Sequence, residues 1–381
     1  GDLYGARLAR ELLTLDATVS LFGIGSSLMR EAGVQLLYDP TSISAIGFAE
    51  VLQSVQTLRR LLRRCGAVMQ EQRPDVLVLL DFPEFNMRLA HIAQEQGIPV
   101  VYYICPSVWA WRRGRAKKIA RLADCVCAVF PFEVGLYQGA GARVLFVGHP
   151  LLDIVHPRTE RAALLPQLQL DADKPFFALL PGSREQEVSS LLPPMLAAAQ
   201  LIAQEVPGAQ FAVPFAHTVS RQWQERLAHT FPAAVPVKGR TYDVLAAADV
   251  AIVASGTVTL EAAILGTPMV MVYKLASSTY HIAKILVKTP YVALPNVVAD
   301  REIVRELLQQ EACPEQMAAE TLKLWYDKGK NAKMRRDLAR VKARLGQPGA
   351  PARAARAVMA VARGEDFMPF GLTPIGDGGS S

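Results

Sequence analysis

Nine short apolar runs constrain what this chain can fold into. Val19–Ile24, Val76–Asp81, Val100–Cys105, Cys125–Phe130 and Val144–Val147 form one series, and Phe176–Leu180, Gln210–Pro214, Val250–Ala254 and Met269–Tyr273 form a second. Most are apolar at consecutive positions and end at Gly, Pro or Asp, the pattern of parallel strands buried on both faces. Leu3–Leu13, Phe48–Gln72, Arg88–Gln96 and Ser189–Glu205 carry helical spacing between them. Strand–helix alternation of this kind builds doubly wound α/β sheets. Gly148-His149-Pro150 and the polar stretch Asp153–Lys174 separate the two series. The expected architecture is two Rossmann-like domains facing across a cleft. Residues 1–150 form the first, and residues 175–363, with a mainly helical C-terminal segment, form the second. A loose tail rich in Gly, Pro and Ser follows at 364–381. Ligands of such sheets bind beyond the carboxyl ends of the strands, so the chemistry is sought there.

A chain of 381 residues is long enough for two cores, and 51% hydrophobic residues exclude intrinsic disorder. Net charge is +6, from 41 Lys+Arg against 35 Asp+Glu, and both halves share the excess. Neither half is therefore a basic nucleic-acid arm, and any electrostatic footprint is a local patch. Cys65, Cys105, Cys125, Cys127 and Cys313 include no Cys-x-x-Cys spacing, which argues against a zinc site or a disulfide framework and fits a reducing compartment. The most apolar stretch, Val250–Tyr273, is broken by Glu261, Gly266 and Pro268, so no segment reads as a span or signal peptide. The chain opens directly on helical spacing at Gly1-Asp2-Leu3, so a first strand is expected to be missing.

Three strand ends carry candidate chemistry. Val76–Leu80 runs into Asp81, placed either to take a proton from a substrate hydroxyl or to cap the following helix. Phe176–Pro181 runs into Gly182-Ser183-Arg184, with Glu187 close behind. There a helix N-terminus and a guanidinium suit a phosphate, and a plain capped turn is the alternative. Val250–Ala254 runs into Ser255-Gly256-Thr257, with Glu261 placed to reach a ribose diol near the helix start. Two such loops in one domain point to a nucleoside diphosphate more than either does alone. Gly23-Ile24-Gly25-Ser26 reads as a turn. Asp171-Ala172-Asp173 has the spacing of a metal-binding pair but precedes its strand, so it too reads as a turn, and the histidines have no ligand spacing.

Two stretches combine apolar and basic residues. Ile43, Ile46, Phe48, Val51 and Leu52 are followed by Arg59, Arg60, Arg63 and Arg64, and Trp109, Trp111 and Arg112 head a second basic run. Both suit an anionic lipid surface, and both equally fit a wet helix face beside a core. No nucleic-acid recognition fold accompanies them.

In order, Gly1-Asp2, Asp81-Phe-Pro-Glu-Phe-Asn86, Pro106-Ser-Val-Trp-Ala-Trp-Arg112, Pro131-Phe-Glu133, Gly148-His149, Leu180-Pro-Gly-Ser-Arg184, Ala254-Ser-Gly-Thr257 with Glu261, and Tyr291-Val-Ala-Leu-Pro-Asn296 resemble the lipid-A-disaccharide synthase family, in register to about residue 360. The resemblance implies the two-domain GT-B glycosyltransferase fold. It also implies an inverting transfer, without metal or cofactor, from UDP-2,3-diacylglucosamine to 2,3-diacylglucosamine 1-phosphate. The products would be the β-1,6-linked disaccharide 1-phosphate and UDP. Asp81 would be the base and Arg184 would steady the diphosphate. Gly182, Ser183, Ser255, Gly256, Thr257, Glu261 and Asn296 would line the UDP site. The enzyme would sit in the cytoplasm against anionic lipid of the inner membrane, with a homodimer left open and no nucleic-acid partner. Of the family's opening strand and Gly-Glu-x-Ser-Gly-Asp loop only Gly1-Asp2 is present, so activity of this chain is an open expectation. Alternatives are a cell-wall UDP-N-acetylglucosamine transferase, a UDP-sugar epimerase, or a non-catalytic nucleotide-sugar or lipid-binding protein of the same fold. Pro106–Arg112 counts against the first two; for the third, intact Asp81 and Arg184 count against it and the missing opening loop counts for it.

Overall fold

Val250–Ala254 and Phe176–Leu180 are buried at every position, and they pair in parallel at the centre of the larger of the chain's sheets. The computed structural model describes residues 1–39, 51–106, 114–216, 233–274 and 290–374, with 219, 220, 222, 223, 225, 227 and 231. It divides into two units, Gly1–Asp153 with Arg344–Ser381, and Ile154–Ala343.

In the first unit, β1 (Phe22–Ile24) and β2 (Gln35–Tyr38) form a parallel pair. β3 (Leu77–Leu80), β4 (Val100–Tyr103), β5 (Cys125–Ala128) and β6 (Val144–Phe146) form a parallel sheet in sequential order. β4 and β5 are wholly buried, which is why their runs are continuously apolar. The strands end sooner than the runs because Asp81, Phe82 and Ile104 take positive φ, 50°, 38° and 59°, turning the backbone out of the sheet. The helix Val51–Gln72 buries Leu61, Leu62, Cys65 and Met69 against Leu89, Ala90 and Ala93 of the helix Pro83–Glu95. That spacing is one helical face, so Arg59, Arg60, Arg63 and Arg64 are left exposed on the other.

The second unit holds one parallel sheet of β7 (Phe176–Leu180), β8 (Gln210–Phe215), β9 (Ala234–Lys238), β10 (Val250–Ala254), β11 (Met269–Tyr273) and β12 (Arg305–Leu308). The order is β12-β11-β10-β7-β8-β9. The chain builds outward from β7 to β9, then returns to build the other way from β10 to β12. The topological switch point therefore lies between β7 and β10. The sequence reading missed β2, β9 and β12. β9 and β12 are sheet edges and carry Pro236, Lys238, Arg305 and Glu306, residues that edges tolerate and that break an apolar run.

The C-terminal region differs from the expectation. The helix Ala350–Ala362 belongs to the first unit, where it packs on the helix Asp2–Leu15 and buries Ala354, Ala355 and Val358. Arg353 Nε donates to the Val147 carbonyl at 2.8 Å. The described part of the tail is not loose. Phe367 is 1% exposed, the Arg143 guanidinium lies 4.4 Å from its ring centroid, and Arg143 pairs with Asp366 at 3.0 Å. Leu372 N–H then donates to the Phe146 carbonyl at 2.7 Å, so the tail straps the β6 side of the sheet. Composition missed this because one buried aromatic anchors an otherwise turn-rich segment. Phe367→Ala should therefore destabilise the protein by about 3–5 kcal/mol in urea denaturation. A loss below about 0.5 kcal/mol, the range of ordinary surface substitutions, would show that the strap is not packed.

Candidate functional site

The two small-residue loops of the second unit leave β7 and β10 at the switch point, on the same side of the sheet. Val253 pairs with Leu180, so Gly182–Arg184 and Ser255–Thr257 emerge as neighbours. Gly182 has φ +117°, and an added Cβ would stand 2.5 Å from Glu187 Oε2, so the position needs glycine. Arg184 is the last residue before the helix Glu185–Glu205. That places Glu187 three residues on, in capping position, one residue closer than a count from Ser183 gives. Its Oε2 accepts the N–H groups of Ser183 at 2.9 Å and Arg184 at 3.3 Å, and its Oε1 lies 3.3 Å from the Arg184 guanidinium. The loop amides thus already face a carboxylate, and the Arg184 side chain is 83% exposed. Tyr273, at the end of β11, stands beside both groups. Burial raises its phenol above the usual value, Glu187 adds to the rise and Arg184 opposes it.

On the second loop, Ser255 N–H donates to the Val272 carbonyl at 2.9 Å. Gly256 has φ +138° with open space where a side chain would stand, and the helix Thr257–Leu265 follows. Glu261 is half-buried in its second turn. Burial pushes its carboxyl up to about 7, partly offset by the Tyr242 hydroxyl, which donates to Oε1 at 3.4 Å. Asn296 has a different place. It is 0% exposed. Its Nδ2 donates to the Val304 carbonyl and to Glu306 Oε1, both at 2.8 Å. Its Oδ1 accepts the N–H groups of Ile303 at 2.8 Å and Val304 at 2.9 Å. An amide has two donors and two lone pairs, so in this arrangement Asn296 has no capacity left for a ligand and braces the backbone instead.

In the first unit Asp81 is exposed at the carboxyl end of β3, as its run predicts. Its left-handed backbone and that of Phe82 cost on the order of 1–3 kcal/mol each, and such strain clusters at functional positions. The Asn86 amide, from the first turn of the helix Pro83–Glu95, and the Tyr102 hydroxyl converge on the carbonyls at this bend. Burial keeps the Tyr102 phenol far above its usual value, so it remains a donor. Behind the strand ends Glu133 is 1% exposed, and its Oε2 accepts the N–H groups of Val129 and Phe130, both at 3.1 Å. Burial lifts it to about 7, with those two bonds pulling the other way. The His149 ring lies 4.8 Å from the Phe130 ring, tilted by 55°. It accepts Leu151 N–H at 3.2 Å through Nδ1 and is lowered to about 3 by burial, so it stays neutral.

Asp171 accepts the Asp173 N–H at 2.9 Å in the turn before β7. Among the described residues no group of three or more His, Cys, Asp or Glu could hold a metal ion. Ile43, Ile46, Phe48, Trp109, Trp111 and Arg112 lie outside the described residues, as do the side chains of Val51 and Leu52.

Comparison with known proteins decides what these loops belong to. The lipid-A-disaccharide synthetase family model matches residues 1–361. A lipid-A-disaccharide synthase of Trichlorobacter lovleyi is 42% identical over 95% of this chain and 94% of its own, and one of Anaeromyxobacter dehalogenans is 44% identical over 95% of each. The chain belongs to the lipid-A-disaccharide synthase family. As such it is a glycosyltransferase of lipid A biosynthesis. The solved structures it resembles share the fold alone. UDP-GlcNAc 2-epimerase of Neisseria meningitidis, bound to UDP-GlcNAc, aligns with TM-score 0.61 at 11% identity, covering 96% of this chain and 98% of that one. MurG of Acinetobacter baumannii aligns with TM-score 0.57 at 16% identity, covering 94% and 96%. These likenesses give the α/β GT-B architecture. The epimerase and cell-wall transferase readings thus keep the fold and lose the family.

Within this synthase family member, the residues that sequence reasoning left without a role are Asn86, Tyr102, Glu133, Tyr242 and Tyr273. Asn86 and Glu133 stood inside quoted strings, so position was legible and direction was not. Glu133 yields a pH test. Its folded value of about 7 lies above the ordinary 4.5, so the folded state keeps a proton that the unfolded chain releases. Stability contributed by that proton is present below pH 4.5 and is lost as pH rises through 7. Glu133→Gln keeps an acceptor oxygen and removes the charge. Between pH 5 and pH 8.5 the variant should gain on the parent by on the order of 2–3 kcal/mol in urea denaturation. A gap that does not change with pH would refute the raised value.

Proposed function

We propose that this chain transfers the diacylglucosaminyl group of UDP-2,3-diacylglucosamine to 2,3-diacylglucosamine 1-phosphate, giving the β-1,6-linked disaccharide 1-phosphate and UDP. The observation that carries the reading is the pair of small-residue loops at the β7/β10 switch point, in a chain of this family. In this reading Gly182, Ser183, Ser255, Gly256 and Thr257 take the diphosphate, and Glu261 takes the ribose hydroxyls. Arg184 is exposed and therefore free to turn from Glu187 to the phosphates. The first unit takes the acceptor. Asp81 removes the proton of the acceptor hydroxyl as its oxygen bonds to the sugar C1. The bond from C1 to the β-phosphate oxygen breaks, and its electron pair leaves with UDP. One displacement inverts C1, and UDP leaves readily enough that a base and a positive group at the diphosphate suffice.

Two substitutions test the assignment separately. Asp81→Asn keeps shape and loses basicity, so turnover with both substrates saturating should fall ~10²–10⁴-fold with UDP affinity unchanged. Arg184→Ala should weaken UDP binding or slow transfer by on the order of 1.5–3 kcal/mol, read by calorimetry and steady-state rates. Asp81→Asn turnover within a few-fold of the parent removes Asp81 as base, and an Arg184→Ala protein unchanged in both quantities removes Arg184 from the site.

Both substrates carry acyl chains, while among the described residues no helix is long and apolar enough to cross a membrane. We propose peripheral docking on the cytoplasmic leaflet. Arg59, Arg60, Arg63 and Arg64, exposed on the helix Val51–Gln72, would meet lipid phosphates. Ile43, Ile46, Phe48, Val51 and Leu52 would enter the acyl boundary, and Trp109, Trp111 and Arg112 form a second candidate stretch for the same surface. Each basic residue near an anionic surface contributes about 1 kcal/mol and is screened beyond a Debye length of about 8 Å. The protein should sediment with anionic vesicles, much less with neutral ones, and be released by high salt. Changing the four arginines together to Gln should abolish sedimentation while the protein stays folded. Unchanged sedimentation of that variant, or none by the parent, would overturn the docking surface.

A further inference from the structure

The bend after β3 is held in place by two buried side chains that donate to its backbone carbonyls. Asp81 and Phe82 both have left-handed backbones, which residues with a Cβ adopt only where the surroundings impose it. Asn86 supplies most of that imposition. Its Nδ2 donates to the Leu80 carbonyl at 2.9 Å and to the Asp81 carbonyl at 2.6 Å, the two carbonyls that flank the turn. From the neighbouring strand, the Tyr102 hydroxyl donates to the same Asp81 carbonyl at 3.1 Å. Asp81 N–H is tied to the Ile104 carbonyl at 3.1 Å. Asn86 is 8% exposed and Tyr102 is 1% exposed, so water does not compete for these donors.

We infer that Asn86, backed by Tyr102, is a positioning residue for the transfer reaction: it fixes the left-handed backbone of Asp81 and through it the direction of the reacting carboxylate. The inference rests on Asp81 being the base. The residue type follows from the geometry, because one amide nitrogen carries two N–H groups and reaches two consecutive carbonyls. Aspartate here would set a carboxylate against both carbonyls, and alanine would leave them to each other. Neither Asn86 nor Tyr102 needs to touch the substrate. A carboxylate displaced by about 1 Å loses on the order of 10²-fold in rate, which sets the size of the effect.

A cycle of variants separates positioning from a merely structural role. Asn86→Ala should lower kcat by about 10–100-fold, with the KM of both substrates and the calorimetric affinity for UDP within about two-fold. The acid limb of its pH–rate profile should shift, since the base then sits in altered surroundings. Tyr102→Phe removes one of the bonds and should act in the same direction, more weakly. In the Asp81→Asn background, Asn86→Ala should cost less than about two-fold further, because the group it positions is already gone. Losses that multiply, or an Asn86→Ala protein with parental kcat, would overturn the inference. Should Asn86→Ala fail to melt cooperatively, Tyr102→Phe takes its place in the same cycle. Asp81→Asn turnover near that of the parent removes the base reading and this inference with it. An Asp81→Asn protein slowed as predicted, with losses that multiply, removes this inference alone.

Discussion

A parallel strand buried on both faces commits all its side chains to the core. β4, β5, β7 and β10 are buried throughout, so polar chemistry has nowhere to sit along them and is pushed to their carboxyl ends. There the backbone leaves the sheet, and its N–H and C=O groups lose their ladder partners. Each must find another acceptor or donor or carry the cost of burial unpaired. The elements that carry candidate chemistry in this chain, from Asp81 to Glu261, are answers to that requirement.

Acidic and amide side chains supply many of the answers. Glu187 takes the amides of Ser183 and Arg184, Glu133 those of Val129 and Phe130, and Glu306 those of Val292 and Ala293. Asp243 takes the amides of Arg158 and Thr159 while pairing with Arg240 at 3.0 Å. Burial would raise Asp243, but the Arg158 amide and the Arg240 guanidinium outweigh it and hold it below the usual carboxylate range. Glu133 has no cation beside it in that balance, so burial wins and the same kind of cap rises to about 7. Glu133 is also the more deeply buried of the two, so its deeper burial and its lack of a guanidinium both push it the other way.

The same physics explains what the sequence made legible. The central strands of both units were readable because burial on two faces demands uninterrupted apolar residues. β9 and β12 were not, since an edge needs pairing on one side only and tolerates Pro236 and Arg305. The strap anchored by Phe367 was hidden because a single buried ring does not alter the composition of a turn-rich tail. At the site, the strings around Asp81, Gly182 and Ser255 announced their loops, and the family resemblance supplied the activity that composition never could. Which way each residue faces was beyond both. Asn296 and Asp81 stand in equally specific strings, yet one is sealed inside and the other is exposed. Only the hydrogen-bond inventory of each side chain tells them apart.

That inventory also separates the two raised acids. Glu133 and Glu261 are both lifted to about 7 by burial. The Glu133 carboxylate is fixed by two backbone amides that belong to the loop itself, and its exposure is 1%. Its charge has been traded for a rigid turn. Glu261 is half-buried, and its Oε1 meets the Tyr242 hydroxyl at a long 3.4 Å. Strong donors are what lower a buried carboxyl, and a weak one leaves the ionised form under-compensated. A ligand that brought two hydroxyl donors to Glu261 would supply that compensation, so binding and loss of the proton would favour each other there. The equal displacement of the two groups thus records opposite states. One carboxylate has spent its acceptors on the fold, and the other keeps them at the mouth of the β10 loop, where a nucleotide sugar is proposed to bind.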